Sequence, residues 1–159
     1  MDRMRESMFS ILGEVEGWSV LDLFSGSGVV ALEALSRGAR SATLVEKERR
    51  KRPTMQKNLE RVFAALDREP ELSLVTAPVE RYLMRVRESF DLVYIDPPFA
   101  YKYKSDLLGR LASSGAVTPE SRVLLHYPKE ENLETAPFEI ADRRSYGRSQ
   151  LLFLTLRFC

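Results

Sequence analysis

Apolar positions along the 159-residue chain recur in two alternating rhythms. Met4, Met8, Ile11 and Leu12 fall at helical spacing, which predicts an amphipathic helix over 3–13, with Asp2 as its N-cap and Gly13 and Gly17 punctuating its end. A short apolar strand over 19–24 runs straight into Ser25-Gly26-Ser27-Gly28. A helix over 29–37 follows and stops at Gly38, which suits a left-handed C-cap. The same alternation then repeats. A strand over 42–46 precedes a helix over 48–66, and Pro53 is tolerated there only within the first turn, where backbone N–H groups have no intrahelical partner. Next come a strand over 72–76, a helix over 79–87, a strand over 90–95, a helix over 102–114 and a strand over 122–127. The tail breaks the rhythm: 138–146 and 150–158 are two strands around the turn Gly147-Arg148-Ser149.

Strand–helix alternation of this kind predicts a single α/β domain over 1–159. Its expected architecture is Rossmann-like and doubly wound, with a mostly parallel seven-stranded sheet ending in a C-terminal antiparallel hairpin. In such sheets ligands bind beyond the carboxyl ends of the strands, where strand order reverses.

Composition adds exclusions. With 44% hydrophobic and 30% charged residues the chain is globular, and no apolar run approaches the ~20 residues of a membrane span. Cys159 is the only cysteine and His126 the only histidine, so an intrachain disulfide and a multi-histidine or cysteine-based metal site are excluded. The opening Met1-Asp2-Arg3-Met4-Arg5-Glu6 has no apolar core of a secretory signal, and a reducing cytoplasm is the expected compartment. A formal net charge of +1 does not announce a nucleic-acid partner. Locally, Lys47 to Arg52 carries five basic residues against one acid, with a looser group at Arg143, Arg144 and Arg148. Either group also fits an ordinary solvated face.

Candidate chemistry sits where strands end. Gly26-Ser27-Gly28-Val29-Val30-Ala31 fits a dinucleotide-type glycine loop, and Glu46 lies 18 residues past Gly28 at the next strand end, where a carboxylate suits ribose hydroxyls. These two features leave a nicotinamide cofactor and S-adenosylmethionine nearly equal. Asp22, four residues before the first glycine, favours a ligand carrying positive charge, the alternative being a carboxylate that only binds loop amides. Asp96-Pro97-Pro98-Phe99 closes the fourth strand at the same sheet edge. Its prolines stiffen the loop, leaving Asp96 and the Pro97 carbonyl to accept the two N–H bonds of an exocyclic amino group while Phe99 stacks on the base. A proline-rich turn with an exposed acid is the blander reading.

Taken together, Asp22-Leu23-Phe24-Ser25-Gly26-Ser27-Gly28 and Asp96-Pro97-Pro98-Phe99 resemble the class I S-adenosylmethionine-dependent methyltransferases that modify base amino groups. Arg5 to Leu12, Leu32 to Ala39 and Tyr146-Gly147 are similar, more narrowly, to the bacterial small-subunit ribosomal RNA guanine-N2 methyltransferases. That resemblance runs nearly end to end. It implies S-adenosylmethionine as cofactor, held by Asp22, by Phe24, Ser25, Gly26, Ser27 and Gly28, by Glu46 with Lys47, by Pro78 and Val79 near the adenine, and by Asp96. It further implies catalysis by Asp96, Pro97, Pro98 and Phe99 and ribosomal RNA or a small-subunit particle as partner; no metal, no membrane and a monomer are expected alongside. Many members of that group carry a polar side chain where this chain has Pro78-Val79. They also open with a basic, glycine-containing β segment, whereas this chain starts almost at the first helix; the expectation is either that part of an RNA-binding surface is lacking or that the sequence is a piece of a longer one.

Tyr101-Lys102-Tyr103-Lys104 mixes aromatics and cations as RNA surfaces do, and equally as an ordinary polar helix start does. His126 reads as a hydrogen-bonded core residue and not a catalyst; Trp18 and the methionines read as core. Three rival functions remain at this stage: a DNA adenine-N6 methyltransferase, a nicotinamide-dependent oxidoreductase and a non-catalytic RNA-binding module.

Overall fold

The computed structural model describes residues 2–157, and the side chain of Asp2 is not included. The expected Asp2 cap, the last residue of the second hairpin strand and Cys159 therefore lie outside the described residues. In chain order the elements are α1 (Asp2–Leu12), β1 (Ser19–Leu23), α2 (Val29–Ser36), β2 (Ser41–Val45), α3 (Arg52–Ala65), β3 (Glu71–Val75), α4 (Val79–Arg85), β4 (Leu92–Ile95), α5 (Lys104–Ser113), β5 (Arg122–Pro128), β6 (Phe138–Tyr146) and β7 (Ser149–Leu156). Among the described residues no helix is long and apolar enough to cross a membrane.

One seven-stranded sheet runs β3-β2-β1-β4-β5-β7-β6. The pairs from β3 through β5 are parallel, and β7 pairs antiparallel with both β5 and β6. Strand order reverses between β1 and β4, so their carboxyl ends flank the natural ligand crevice. All residues of β1 and β4 are buried, as central parallel strands covered on both faces require. Alternate side chains then serve two cores. Val20, Leu44, Tyr94 and Leu124 pack under α1, α2 and α3 with Phe9, Leu35 and Leu59. Leu21, Val93, Ile95 and Leu125 pack under α4 and α5 with Leu83, Leu107 and Leu111. Each fully buried side chain of this size contributes about 1.5–3 kcal/mol of transfer free energy.

Several boundaries differ from expectation for local reasons. The region from 48 divides into a 3-10 turn, Arg49–Lys51, and α3, which places Pro53 in the first turn. α2 closes by paired bonds, Gly38 N–H to the Leu35 carbonyl and Ala39 N–H to the Ala34 carbonyl, each within 3.1 Å. α5 starts at Lys104 and not at 102, after Tyr103 at φ −104°, and the Lys104 ammonium donates back to the Tyr101 carbonyl and to Glu131. Met84 is exposed, in contrast to Met4, Met8 and Met55, because it lies on the outer side of α4.

Candidate active site

The segment after β1 is bent by Phe24, a non-glycine residue at φ 60°, followed by Gly26 at φ 56° and Gly28 at φ 80°. Left-handed backbone at a β-unbranched aromatic residue costs energy, and such strain concentrates where a ligand is gripped. The two glycines serve different ends. A Cβ on Gly26 would meet nothing within 4 Å, whereas one on Gly28 would stand 2.8 Å from a Leu44 methyl and 3.4 Å from Met55. Gly26 thus faces open space, and Gly28 lets α2 close on β2 and α3.

Glu46 ends β2 and ties the loop down. One carboxylate oxygen accepts the Gly26 N–H at 2.9 Å, and the other accepts the Glu48 N–H at 3.0 Å. Asn58 donates to the Ser27 carbonyl at 3.1 Å, which fixes the loop from α3. The Ser25 hydroxyl is buried in this loop and has no hydrogen-bond partner among the described residues. A buried hydroxyl left unpaired costs about 1–3 kcal/mol, so the loop is shaped for a polar group it does not itself supply.

Asp22 lies beneath, one residue before the end of β1 and opposite Tyr94 of β4. It is buried, and that burial pushes its carboxyl up to about 8, with Asp96 and Glu46 adding to the rise and the Ala31 amide opposing it. Burial also raises the Tyr94 hydroxyl, with Asp96 and Asp22 contributing.

Two cavities meet at Asp96. The first, about 460 Å³, is walled by residues including Phe24, Glu46, Lys47, Pro78, Val79, Tyr101, Asp96 and Pro98. The second, about 500 Å³, is walled by Asp96 to Phe99 together with His126, Tyr127, Pro128, Arg148 and Ser149. Of the residues expected at a cofactor, Phe24, Glu46, Lys47, Pro78, Val79 and Asp96 therefore come together around one chamber. Ser25, Gly26 and Ser27 form the loop beside it, and Asp22 lies below. Gly28 faces the core instead. Pro97 is buried and Phe99 is 78% exposed beside the second chamber.

The tyrosine–lysine run after the proline loop is not one surface. Tyr101 packs edge-on against Phe24 at 5.0 Å and donates to Glu80 at 2.5 Å, closing the first chamber. Lys104 is buried and paired with Glu131 at 3.0 Å. Lys102 and Tyr103 alone are exposed. His126 is hydrogen-bonded, as expected, but its partner is Asp96: ring Nδ1 lies 2.9 Å from Asp96 Oδ1 and Nε2 lies 2.8 Å from the Ser149 hydroxyl. Sequence reasoning placed it in the strand core and missed this contact. The one available signal was that His126 ends the apolar run neighbouring the strand that carries Asp96.

The chain is 32% identical over 137 residues to ribosomal RNA small subunit methyltransferase D of Escherichia coli, spanning 86% of this chain and 67% of that protein. A protein of the same description from Haemophilus influenzae is 25% identical over 137 residues, spanning 84% and 69%. Among solved structures, a conserved hypothetical protein of Streptococcus pyogenes superposes with a TM-score of 0.86 at 32% identity, covering 96% of this chain and 95% of that one. Residues 1–155 match the family described as conserved hypothetical protein 95, and the chain belongs to that family.

Proposed function

We propose that this protein transfers a methyl group from S-adenosylmethionine to the exocyclic amino group of a base in ribosomal RNA, with guanine N2 of the small subunit as the specific target. The observation that carries the reading is the position of Asp96 in the walls of both chambers. One carboxylate is thereby within reach of a cofactor on one side and a nucleobase on the other. The E. coli relative, named as a small-subunit ribosomal RNA methyltransferase, supports the same class of substrate.

The residues of the first chamber fit the cofactor. The unpaired Ser25 hydroxyl and the open face of Gly26 suit its amino-acid end, and Asp22 below supplies a negative charge once ionised. Each Glu46 oxygen accepts one backbone amide and keeps a lone pair for a ribose hydroxyl. Pro78 and Val79 offer the adenine an apolar wall. When bound, S-adenosylmethionine supplies a methyl group activated by its sulfonium and departs as a neutral thioether.

An aromatic amino nitrogen is a poor nucleophile because its lone pair is delocalised into the ring. Asp96 and the Pro97 carbonyl accept its two N–H bonds, which orients the nitrogen and favours pyramidal geometry. Asp96 then takes the proton lost by the methylated nitrogen. Phe99 stacks on the base, which must leave its helix to enter the second chamber.

The test is to incubate the protein with methyl-labelled S-adenosylmethionine and small-subunit particles lacking base methylation, naked ribosomal RNA, or DNA. Digestion then identifies the labelled nucleoside. Labelled N2-methylguanosine from RNA is the expected result. Label on an adenine or cytosine amino group would overturn the guanine assignment, and label in DNA alone would overturn the RNA assignment. Bound cofactor with no label in any substrate would overturn the transferase reading.

A further inference from the structure

We infer that His126 is the positioning residue of Asp96, and that Ser149 in the C-terminal hairpin completes the arm that holds it. The inference rests on the methyl-transfer reading only for its effect on turnover; the hydrogen bond itself is testable without substrate. Asp96 stands at a strand end with its side chain 35% exposed, and among the described residues its second oxygen has only a long 3.4 Å contact from the Tyr94 hydroxyl. Left to itself, such a carboxylate rotates and presents either oxygen. The 2.9 Å contact between Oδ1 and His126 Nδ1 removes that freedom and leaves Oδ2 for a substrate proton.

The imidazole is itself fixed. Its side chain is 12% exposed and sits two residues past Leu124 on the α1–α2 face of β5. Nε2 meets the Ser149 hydroxyl at 2.8 Å, and that hydroxyl lies 3.0 Å from the Tyr146 carbonyl. Ser149 has one proton to give. If the Tyr146 carbonyl receives it, Nε2–H donates to Ser149; if Nε2 receives it, Nε2 is an acceptor. In either arrangement an ionised Asp96 can only accept, so the proton on its side of the contact belongs to Nδ1. A ring bonded at both nitrogens cannot flip, and the hairpin thereby sets the direction of a carboxylate in the wall of both chambers.

His126 is the only histidine, so the full-length chain labelled with 15N-histidine gives a single pair of imidazole nitrogen resonances. At neutral pH the expected spectrum shows a protonated Nδ1, and Asp96→Ala shifts the ring toward the Nε2–H tautomer. A bare Nδ1 in the unaltered protein, or a spectrum indifferent to Asp96→Ala, would overturn the inference. In turnover, His126→Leu is expected to lower kcat about 10- to 100-fold with cofactor affinity unchanged. His126→Asn, which restores an N–H donor near the Nδ1 position, should recover most of that loss. Wild-type kcat in His126→Leu, or His126→Asn as slow as His126→Leu, would count equally against it. An unaltered chain that methylates nothing would refute the methyl-transfer reading and leave the Asp96–His126 bond to be decided by the spectrum.

Discussion

Asp22 and Asp96 are both carboxylates at the switch point, yet their surroundings assign them different work. Burial holds the Asp22 carboxyl at about 8, against an ordinary value of 3.8. Between those two pH values the folded chain binds a proton that the unfolded chain releases. The stability of the neutral form is thus complete below pH 4 and is lost as pH rises through about 8. We predict that the melting temperature of the cofactor-free protein falls more steeply from pH 6 to 9 than that of Asp22→Asn; parallel curves would show that Asp22 is ionised throughout. A cationic ligand favours the carboxylate, so cofactor binding at pH 7 should expel a proton, read as a buffer-dependent heat in calorimetry. Asp22→Asn should abolish that release and weaken binding about 10- to 100-fold, the worth of a hydrogen bond to a charged group. Asp96→Ala, by contrast, should lower kcat on the order of 10³-fold while cofactor affinity stays near normal, since on the proposed mechanism it removes the acceptor for the amino group. A variant turning over at the unaltered rate would remove Asp96 from the mechanism.

At the scale of elements, the loop between β1 and α2 separates binding from packing over three residues. Gly28→Ala drives a Cβ to 2.8 Å from Leu44 at φ 80°, so it should cost about 1–3 kcal/mol in denaturant unfolding. Gly26→Ala meets open space, and its main effect should fall on cofactor affinity, with a smaller stability loss from the left-handed backbone. Equal losses of stability in the two variants would refute the division. This loop was legible in the sequence because strand, glycines and helix are contiguous, and the same holds for the succession of strands and helices along the chain and for the hairpin. Local pattern also located Asp22, Glu46 and Asp96, each at a strand end. Contacts across the sheet were not legible. His126 meets residues 30 and 23 positions away, and Lys104 is neutralised by Glu131, 27 positions on. An apolar strand fixes which face a histidine shares, but not which side chain stands opposite on the neighbouring strand.

The whole molecule brings cations to both chambers and ties its two ends together behind them. Lys47 and Lys51 stand in the wall of the first chamber and Arg148 in that of the second, with Lys102 exposed after the proline loop. For the proposed RNA substrate, each phosphate contact removed should lower the slope of log affinity against log salt by about 0.7–0.9. Arg148→Ala is predicted to weaken RNA binding by that signature while leaving cofactor affinity intact. An unchanged salt slope would place the RNA elsewhere.

The longer connection runs from the first helix to the last hairpin. The Ser7 hydroxyl of α1 lies 2.6 Å from the Tyr146 hydroxyl, and Tyr146 pairs across the turn with Ser149, the residue that holds His126. Both ends of this bond fall in the segments that carry the resemblance to guanine-N2 methyltransferases, Arg5 to Leu12 and Tyr146-Gly147. In this chain α1 is thereby bonded to the turn that carries Ser149, and through Ser149 to His126. Tyr146→Phe removes only the hydroxyl. It should cost about 1 kcal/mol in global stability, speed amide exchange in 146–149 and broaden the His126 ring resonances, with cofactor affinity unchanged. Faster exchange without any change at His126 would mean that Ser149 keeps its place unaided, and that α1 braces the fold but not the site.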